Sequence, residues 1–321
     1  MIRYLSSKDL VDLVSPATLV AALEKALCDF SELRVTVPSR QHVHFGENSL
    51  LTMPAIGQSV FGTKIISVVP SNATRRLPVT NGLMMLSDGV TGAPLAVLNA
   101  ALLTGQRTGA VGALGIRYTT PPEANCIGII GTGVQATWQA VFACAVRIIR
   151  VVHFVARSDE KAQSFVDAVS RHAPTVQLSR CTDVRELLTK AEIVITATTS
   201  SDPVLPDELH LLERKHFLSI GSFKPSMQEL PNTVYQLAQQ VVVDSPAATT
   251  EVGDLIEPLS LGLINEHDII QIADLVIGKR AIDTTRTTVF KSVGMALYDL
   301  YAACAFFAEA QRLDRGTPLD T

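Results

Sequence analysis

The sequence has no excess of one charge, no long uncharged apolar run and no paired cysteines, and each lack removes a class of function. It carries 27 basic and 31 acidic side chains, a formal net charge of -4, and its pI is near 6.0. Nothing in that balance attracts nucleic acid or an anionic membrane, so neither is expected as a partner. No stretch offers about 18 uncharged apolar residues, and no membrane span is expected. The most apolar segment, "GMALYDLYAACAFFAEA" at 294–310, is interrupted by Asp299 and reads as a helix buried in protein. Cys28, Cys126, Cys144, Cys181 and Cys304 are scattered, odd in number and without a C-x-x-C pair. That excludes a disulfide framework and implies a reduced, cytoplasmic compartment. The opening "MIRYLSSKDLVDLV" is broken by Lys8, Asp9 and Asp12, unlike a signal peptide.

What is present suits a soluble enzyme. Hydrophobic residues make up 47% and charged residues 18% of 321, a length that fits two domains. In "SPATLVAALEKALCDFSEL", Ser15 is a helix cap, Pro16 suits the first helical position, and Leu19, Leu23, Ala26, Leu27 and Phe30 form one apolar face. From 35 to about 100, short β-rich runs punctuated by Gly, Pro and Asn predict an antiparallel sheet, with "DGVTGAPLA" as a hairpin turn. A helix is expected over "LLTGQRTGAVGALGIRY", then a linker, "TTPPEAN". Beyond it, apolar strands alternate with helices, the pattern of a parallel sheet covered on both faces. The last long helix is read over 287–313, "TTVFKSVGMALYDLYAACAFFAEAQRL", packing back onto the first domain.

The segment "CIGIIGTGVQA" at 126–136 carries G-x-G-x-x-A between a strand and a helix. Gly131 permits the tight turn, Gly133 lets backbone approach a pyrophosphate, and Ala136 permits close helix–strand packing. Thr132, Val134 and Gln135 complete the turn and the helix start, whose free N–H groups face the phosphates. The next strand ends "VARSDEKA", where an NAD site usually has an acid for the ribose 2′-hydroxyl. Here the tip is Arg157 and Ser158, with Lys161 one turn on, groups suited to a 2′-phosphate. NADPH is therefore favoured over NADH, with Asp159 the residue that argues the other way. His42 and His44 share a strand face without a further ligand in view, and no metal is expected.

With these segments placed, the chain resembles the ornithine cyclodeaminase and mu-crystallin family over nearly its whole length. The resemblance rests on "GTKIISVVP", "GLMMLSDGVTGAPLAVLNAALLTGQRTGAVGALG", "IGIIGTGVQA", "VVVDSPAATTEVGDL" and "TTVFKSVGMALYDL", in order and at family-like spacing. It implies an α/β fold: a Rossmann domain over 120–289 and a discontinuous α+β domain over 1–119, rejoined by 290–321, that binds substrate and forms a homodimer. It implies that Arg40, Lys64 and Arg107 line a pocket for a small amino or imino acid, with Thr80 and Met53 as further lining. It places Thr198 and Ser292 near the cofactor. The residue types agree, since a guanidinium fork grips a carboxylate and a lysine can hold a transferable proton.

One departure discriminates among family activities. Cyclodeaminases of this family carry an aspartate two residues after the glycine of "IGSFKPSMQEL", where this chain has Phe223. A phenyl ring can neither accept a proton nor orient a water. The expected reaction is thus NAD(P)H-dependent reduction of a cyclic imino acid, Δ1-pyrroline-2-carboxylate or Δ1-piperideine-2-carboxylate, to L-proline or L-pipecolate. The alternatives, in order, are an alanine-type amino-acid dehydrogenase, a cyclodeaminase, and a non-catalytic mu-crystallin-like binding protein.

Overall fold

A computed structural model describes residues 1–75 and 77–320. The chain divides into two compact units, Met1–Arg107 with Met295–Thr321, and Thr108–Gly294. The first division falls inside the helix Ala100–Thr119, upstream of the linker at which the sequence suggests a boundary.

The first unit is built on one sheet of seven strands. Strands β1 (Ile2–Leu5), β2 (Gln41–Phe45), β3 (Asn48–Ile56), β4 (Val60–Val68), β5 (Thr80–Asp88) and β6 (Pro94–Asn99) are joined by a short strand at Thr317–Leu319. From β2 to β6 the neighbours pair antiparallel in sequence order, and β1 adds itself parallel to β6. Period-2 alternation gives β3 to β6 one buried face, with Leu51, Met53, Ala55, Ile66, Met84, Leu86, Ala96 and Leu98 in the core. The helices Pro16–Ser31 and Ala296–Arg312 pack on each other, and the latter lies on β3, β4 and β5. Ser15 caps the Pro16–Ser31 helix by accepting from Thr18 N, as its sequence suggests. Buried Asp29 ties these helices by accepting from the Tyr301 hydroxyl at 2.5 Å.

The second unit is a parallel sheet of eight strands. They are β7 (Cys126–Ile130), β8 (Val151–Val155), β9 (Gln177–Arg180), β10 (Ile193–Thr196), β11 (His216–Ser219), β12 (Val241–Val243), β13 (Ile269–Gln271) and β14 (Thr288–Lys291). Their spatial order is β13-β12-β14-β11-β10-β7-β8-β9, all parallel. The order reverses at β7, which lies between β8 and β10. That reversal is the topological switch point at which open α/β sheets bind nucleotides, outside the carboxyl ends of the strands.

One element differs from its sequence reading. Thr288–Lys291 is a fully buried strand of the second unit, and the last helix starts only at Ala296. The run of β-branched Thr288 and Val289 with Phe290 suits a pleated, doubly covered strand. Gly294, at φ +76°, turns the chain between strand and helix. Among the described residues no helix is long and apolar enough to cross a membrane.

Candidate active site

In the first unit, β4 sets Lys64 on the buried face of the sheet, paired across the ladders with Met53 on β3 and Met84 on β5. Asp299, on the helix that covers this face, is fully buried. Its Oδ2 lies 2.8 Å from Lys64 Nζ. The contact is a buried ion pair. Asp299 Oδ1 accepts from Arg107 Nε at 3.0 Å, and Lys64 Nζ donates to Thr104 Oγ1 at 3.4 Å. Thr104 and Arg107 are three apart on the helix Ala100–Thr119, so they share a face.

A buried charge is tolerated only where partners replace its water. For Lys64 the replacement is incomplete. Burial drives its ammonium from 10.5 down to about 8; Asp299 opposes the fall, while Arg107 and Arg40 add to it. The cluster thus has more positive charge than its single aspartate balances around the lysine.

Of the pocket residues read from the sequence, the structure brings Lys64, Met53 and Arg107 together on one buried patch. Arg40 is half-buried just ahead of β2, close enough for its charge to act on Lys64. Thr80 opens β5 on the same face, four residues from Met84, or roughly 13 Å along the strand. The sequence offers Asp299 without a partner and gives no sign of Thr104 or Met84. A lone carboxylate in an otherwise apolar helix is the available signal.

In the second unit, β7 leads into the glycine turn. Gly131 has φ +110°, and a Cβ there would come 2.5 Å from Ala197 O, so only glycine fits. Gly133 is the extended N-cap of the helix Val134–Val146 and makes no side-chain cap. A Cβ on Gly133 would meet nothing within 4 Å, leaving the approach to these N–H groups open. Thr132 and Gln135 are half-buried, Val134 is exposed and Ala136 is fully buried against the sheet. Gln135 Oε1 is buried and has no hydrogen-bond partner among the described residues. An open, uncapped helix start at the switch strand fits a pyrophosphate.

At the tip of β8, Arg157 and Lys161 are exposed. Ser158 caps the next helix, Asp159–His172, by accepting from Lys161 N at 3.3 Å, which leaves its own O–H proton able to donate. Asp159 is held by Arg180 at 2.5 Å. The hydroxyls of the two other cofactor-side candidates are committed to acids: Thr198 Oγ1 donates to Glu229 Oε1 at 2.8 Å and Ser292 Oγ to Asp244 Oδ2 at 2.7 Å. Phe223 is partly exposed, with Lys224 Nζ 5.5 Å from its ring centre. His42 and His44 stack at 4.2 Å between ring centres, and the described residues hold no group of three or more metal-ligating side chains.

The family model "Ornithine cyclodeaminase/mu-crystallin family" matches residues 4–312. A Δ1-pyrroline-2-carboxylate reductase of Bacillus thuringiensis subsp. konkukian is 34% identical over 98% of this chain and 99% of its own. The Thermococcus litoralis Δ1-pyrroline-2-carboxylate reductase, solved with NADH and L-proline, superposes with a TM-score of 0.93 at 29% identity, covering 99% of this chain and 100% of its own. An archaeal alanine dehydrogenase dimer with bound NAD superposes with a TM-score of 0.91 at 26% identity, covering 99% of each chain. The enzyme class expected from the sequence, an oxidoreductase acting on C=N bonds, is that of the named reductases. Two units of this architecture, the glycine turn on a parallel sheet and a match over nearly the whole length make the chain a member of the ornithine cyclodeaminase/mu-crystallin family.

Proposed function

We propose that this protein reduces a cyclic imino acid, Δ1-pyrroline-2-carboxylate or Δ1-piperideine-2-carboxylate, to L-proline or L-pipecolate at the expense of NADPH. The observation that carries the reading is the buried Lys64–Asp299–Arg107 cluster, with Lys64 lowered to about 8. Arg107 and Arg40 supply guanidinium forks for the substrate carboxylate. That carboxylate adds the negative charge the cluster lacks, which raises the Lys64 affinity for its proton once substrate is bound. Lys64, held protonated in this way, hydrogen-bonds the ring nitrogen and gives it that proton as C2 accepts hydride, so that C2 is electrophilic and Lys64 ends the step neutral. Asp299 holds Lys64 and Arg107 in register, and Met53 and Met84 exclude water on either side of the lysine. The dinucleotide, bound over the Gly131–Gln135 turn, supplies the hydride.

Arg157 and Ser158 support NADPH over NADH, because Asp159, the acid that would select a 2′-hydroxyl, is held by Arg180. Phe223 in place of the cyclodeaminase aspartate argues against ring closure with loss of ammonia.

A homodimer belongs to the same reading. The face of the first sheet opposite Lys64 presents Val43, Ile65, Leu83 and Met85 to solvent, each at least 40% exposed. An apolar sheet face of this kind marks an association surface.

The similarity to an alanine dehydrogenase favours a second reading, reductive amination of a keto acid such as pyruvate. NADPH consumption with each cyclic imine, against pyruvate plus ammonia, separates the two. Turnover of the imines with pyruvate inert supports reduction of a preformed C=N bond; the reverse result replaces it with the dehydrogenase.

A further inference from the structure

Lys291, the last residue of β14, sends its ammonium into a second buried cluster at the carboxyl ends of the parallel strands. Nζ donates to Ser222 Oγ at 2.7 Å, Ser219 Oγ at 2.9 Å and Asp254 Oδ2 at 3.2 Å, which uses all three of its protons. Ser222 Oγ donates on to Asp254 Oδ2, and Ser219 Oγ reaches Asp254 Oδ2 at 2.6 Å and Glu229 Oε2 at 3.1 Å. Asp254 Oδ1 accepts from the N–H groups of Glu229 at 2.8 Å and Leu230 at 3.1 Å.

Glu229 is the third charged member of the cluster. Its Oε2 accepts from Gly221 N at 2.7 Å and Ser222 N at 3.2 Å, and its Oε1 from Thr198 N at 2.7 Å and Thr198 Oγ1 at 2.8 Å. Three of these four partners are backbone N–H groups, which can only donate, so both carboxylate oxygens serve as acceptors. Gly221 is required there, since a Cβ would collide with the Thr198 backbone and come 2.6 Å from Glu229 Oε1. Lys291, Asp254 and Glu229 are all fully buried. Two carboxylates share one ammonium, so the cluster has a surplus negative charge out of water's reach.

The loops that Glu229 clamps leave the carboxyl ends of β10 and β11, on the far side of the switch strand β7 from β8. A dinucleotide that lays its phosphates on the glycine turn and its adenosine half over β8 has its nicotinamide half over those ends. The oxidised nicotinamide ring is cationic and the reduced ring is neutral.

We propose that Glu229 is a positioning residue whose surplus charge makes this end of the sheet favour the oxidised nicotinamide over the reduced one, so that the bound dihydronicotinamide is a stronger hydride donor. The same carboxylate fixes the spacing of the Thr198 and Gly221–Ser222 loops, so shape and charge have one source. The inference rests on the proposed nicotinamide cofactor and is independent of which C=N substrate is reduced.

Dissociation constants of oxidised and reduced dinucleotide, measured by calorimetry or cofactor fluorescence on the intact protein without substrate, test it. Glu229→Gln removes one charge and also turns an amide NH2 toward an N–H donor, a packing loss that bears on both forms alike; beyond that common loss it should weaken the oxidised form relative to the reduced form by about three- to tenfold, the size of one unit charge near a partly buried site. A tenfold change in that ratio is about 30 mV for a two-electron couple. Asp254→Asn makes the same charge change from the other side and should move the ratio in the same direction. Ser219→Ala removes a hydroxyl without changing charge and should affect both forms equally. Equal weakening of both forms in the two carboxylate variants overturns the charge role. If neither carboxylate variant folds, the cluster serves the fold alone and the proposal falls. A wild-type protein that binds no nicotinamide dinucleotide defeats the proposed function first, and that result is distinct from an unchanged ratio.

Discussion

Lys64 Nζ and Asp299 Oδ2 lie 2.8 Å apart with both side chains buried, joining the middle of the first sheet to the last long helix of the chain. Arg107 completes the cluster from a third element. One aspartate thereby holds two cations in place.

Removing that aspartate should be felt in the fold and in the chemistry. Asp299→Asn leaves two buried cations without a counterion, a change expected to cost about 3–5 kcal/mol of stability. Denaturant unfolding measures the loss. In the fraction that stays folded, kcat/KM should fall and its pH dependence should shift toward acid, because Lys64 loses the group that opposes its deprotonation. Wild-type stability and pH profile in the Asp299→Asn variant would remove the cluster from the mechanism.

The pH dependence of the wild-type reaction has a definite sign. In the proposed reaction Lys64 acts protonated, and burial lowers it to about 8 in the free protein. The ratio kcat/KM, which reports the free enzyme, should therefore decline as pH rises through about 8. The decline in kcat should lie at higher pH, since bound carboxylate favours the charged lysine. Coincident limbs would mean that no anion joins the cluster. Stability should show the opposite trend. Between about 8 and 10.5 the unfolded chain holds more protons at this lysine than the folded one, so stability relative to Lys64→Met should rise with pH.

Cofactor choice should turn on the β8 tip. Arg157→Asp sets a like charge against a 2′-phosphate and should weaken NADPH by about tenfold or more, with NADH little affected. Arg180→Ala releases Asp159 and should shift the preference toward NADH in the same sense. Fluorescence titration with both cofactors measures each ratio. Unchanged ratios in both variants would place 2′-phosphate recognition elsewhere on the chain.

The glycine turn should be intolerant of even one methyl group at its first position. Gly131→Ala must either keep φ near +110° at a cost or press against Ala197 O, 2.5 Å from its Cβ. Loss of dinucleotide binding with a lowered melting temperature is expected. At Gly133, where a Cβ meets nothing, alanine should leave stability nearly unchanged and weaken only the dinucleotide. The contrast separates a residue needed by the backbone from one needed by the ligand.

The sequence by itself determined the features that depend on neighbours along the chain. Ser15 and Pro16 open a helix by local capping, alternation sets which residues of β3 to β6 turn inward, and the glycine turn follows from backbone sterics at Gly131. Period alone misreads Thr288–Lys291 as helix, because a short apolar run fits either element and only its place beside β11 and β12 makes it a strand. Tertiary structure alone decided the charge pairings. No local spacing relates Lys64 to Arg107 and Asp299, or Lys291 to Asp254 and Glu229, and each carboxylate read singly could have been a solvated surface group. Burial forced the choice: once sheet and helices exclude water, a charge persists only where the fold delivers its partner, so those contacts belong to packing rather than to any stretch of sequence.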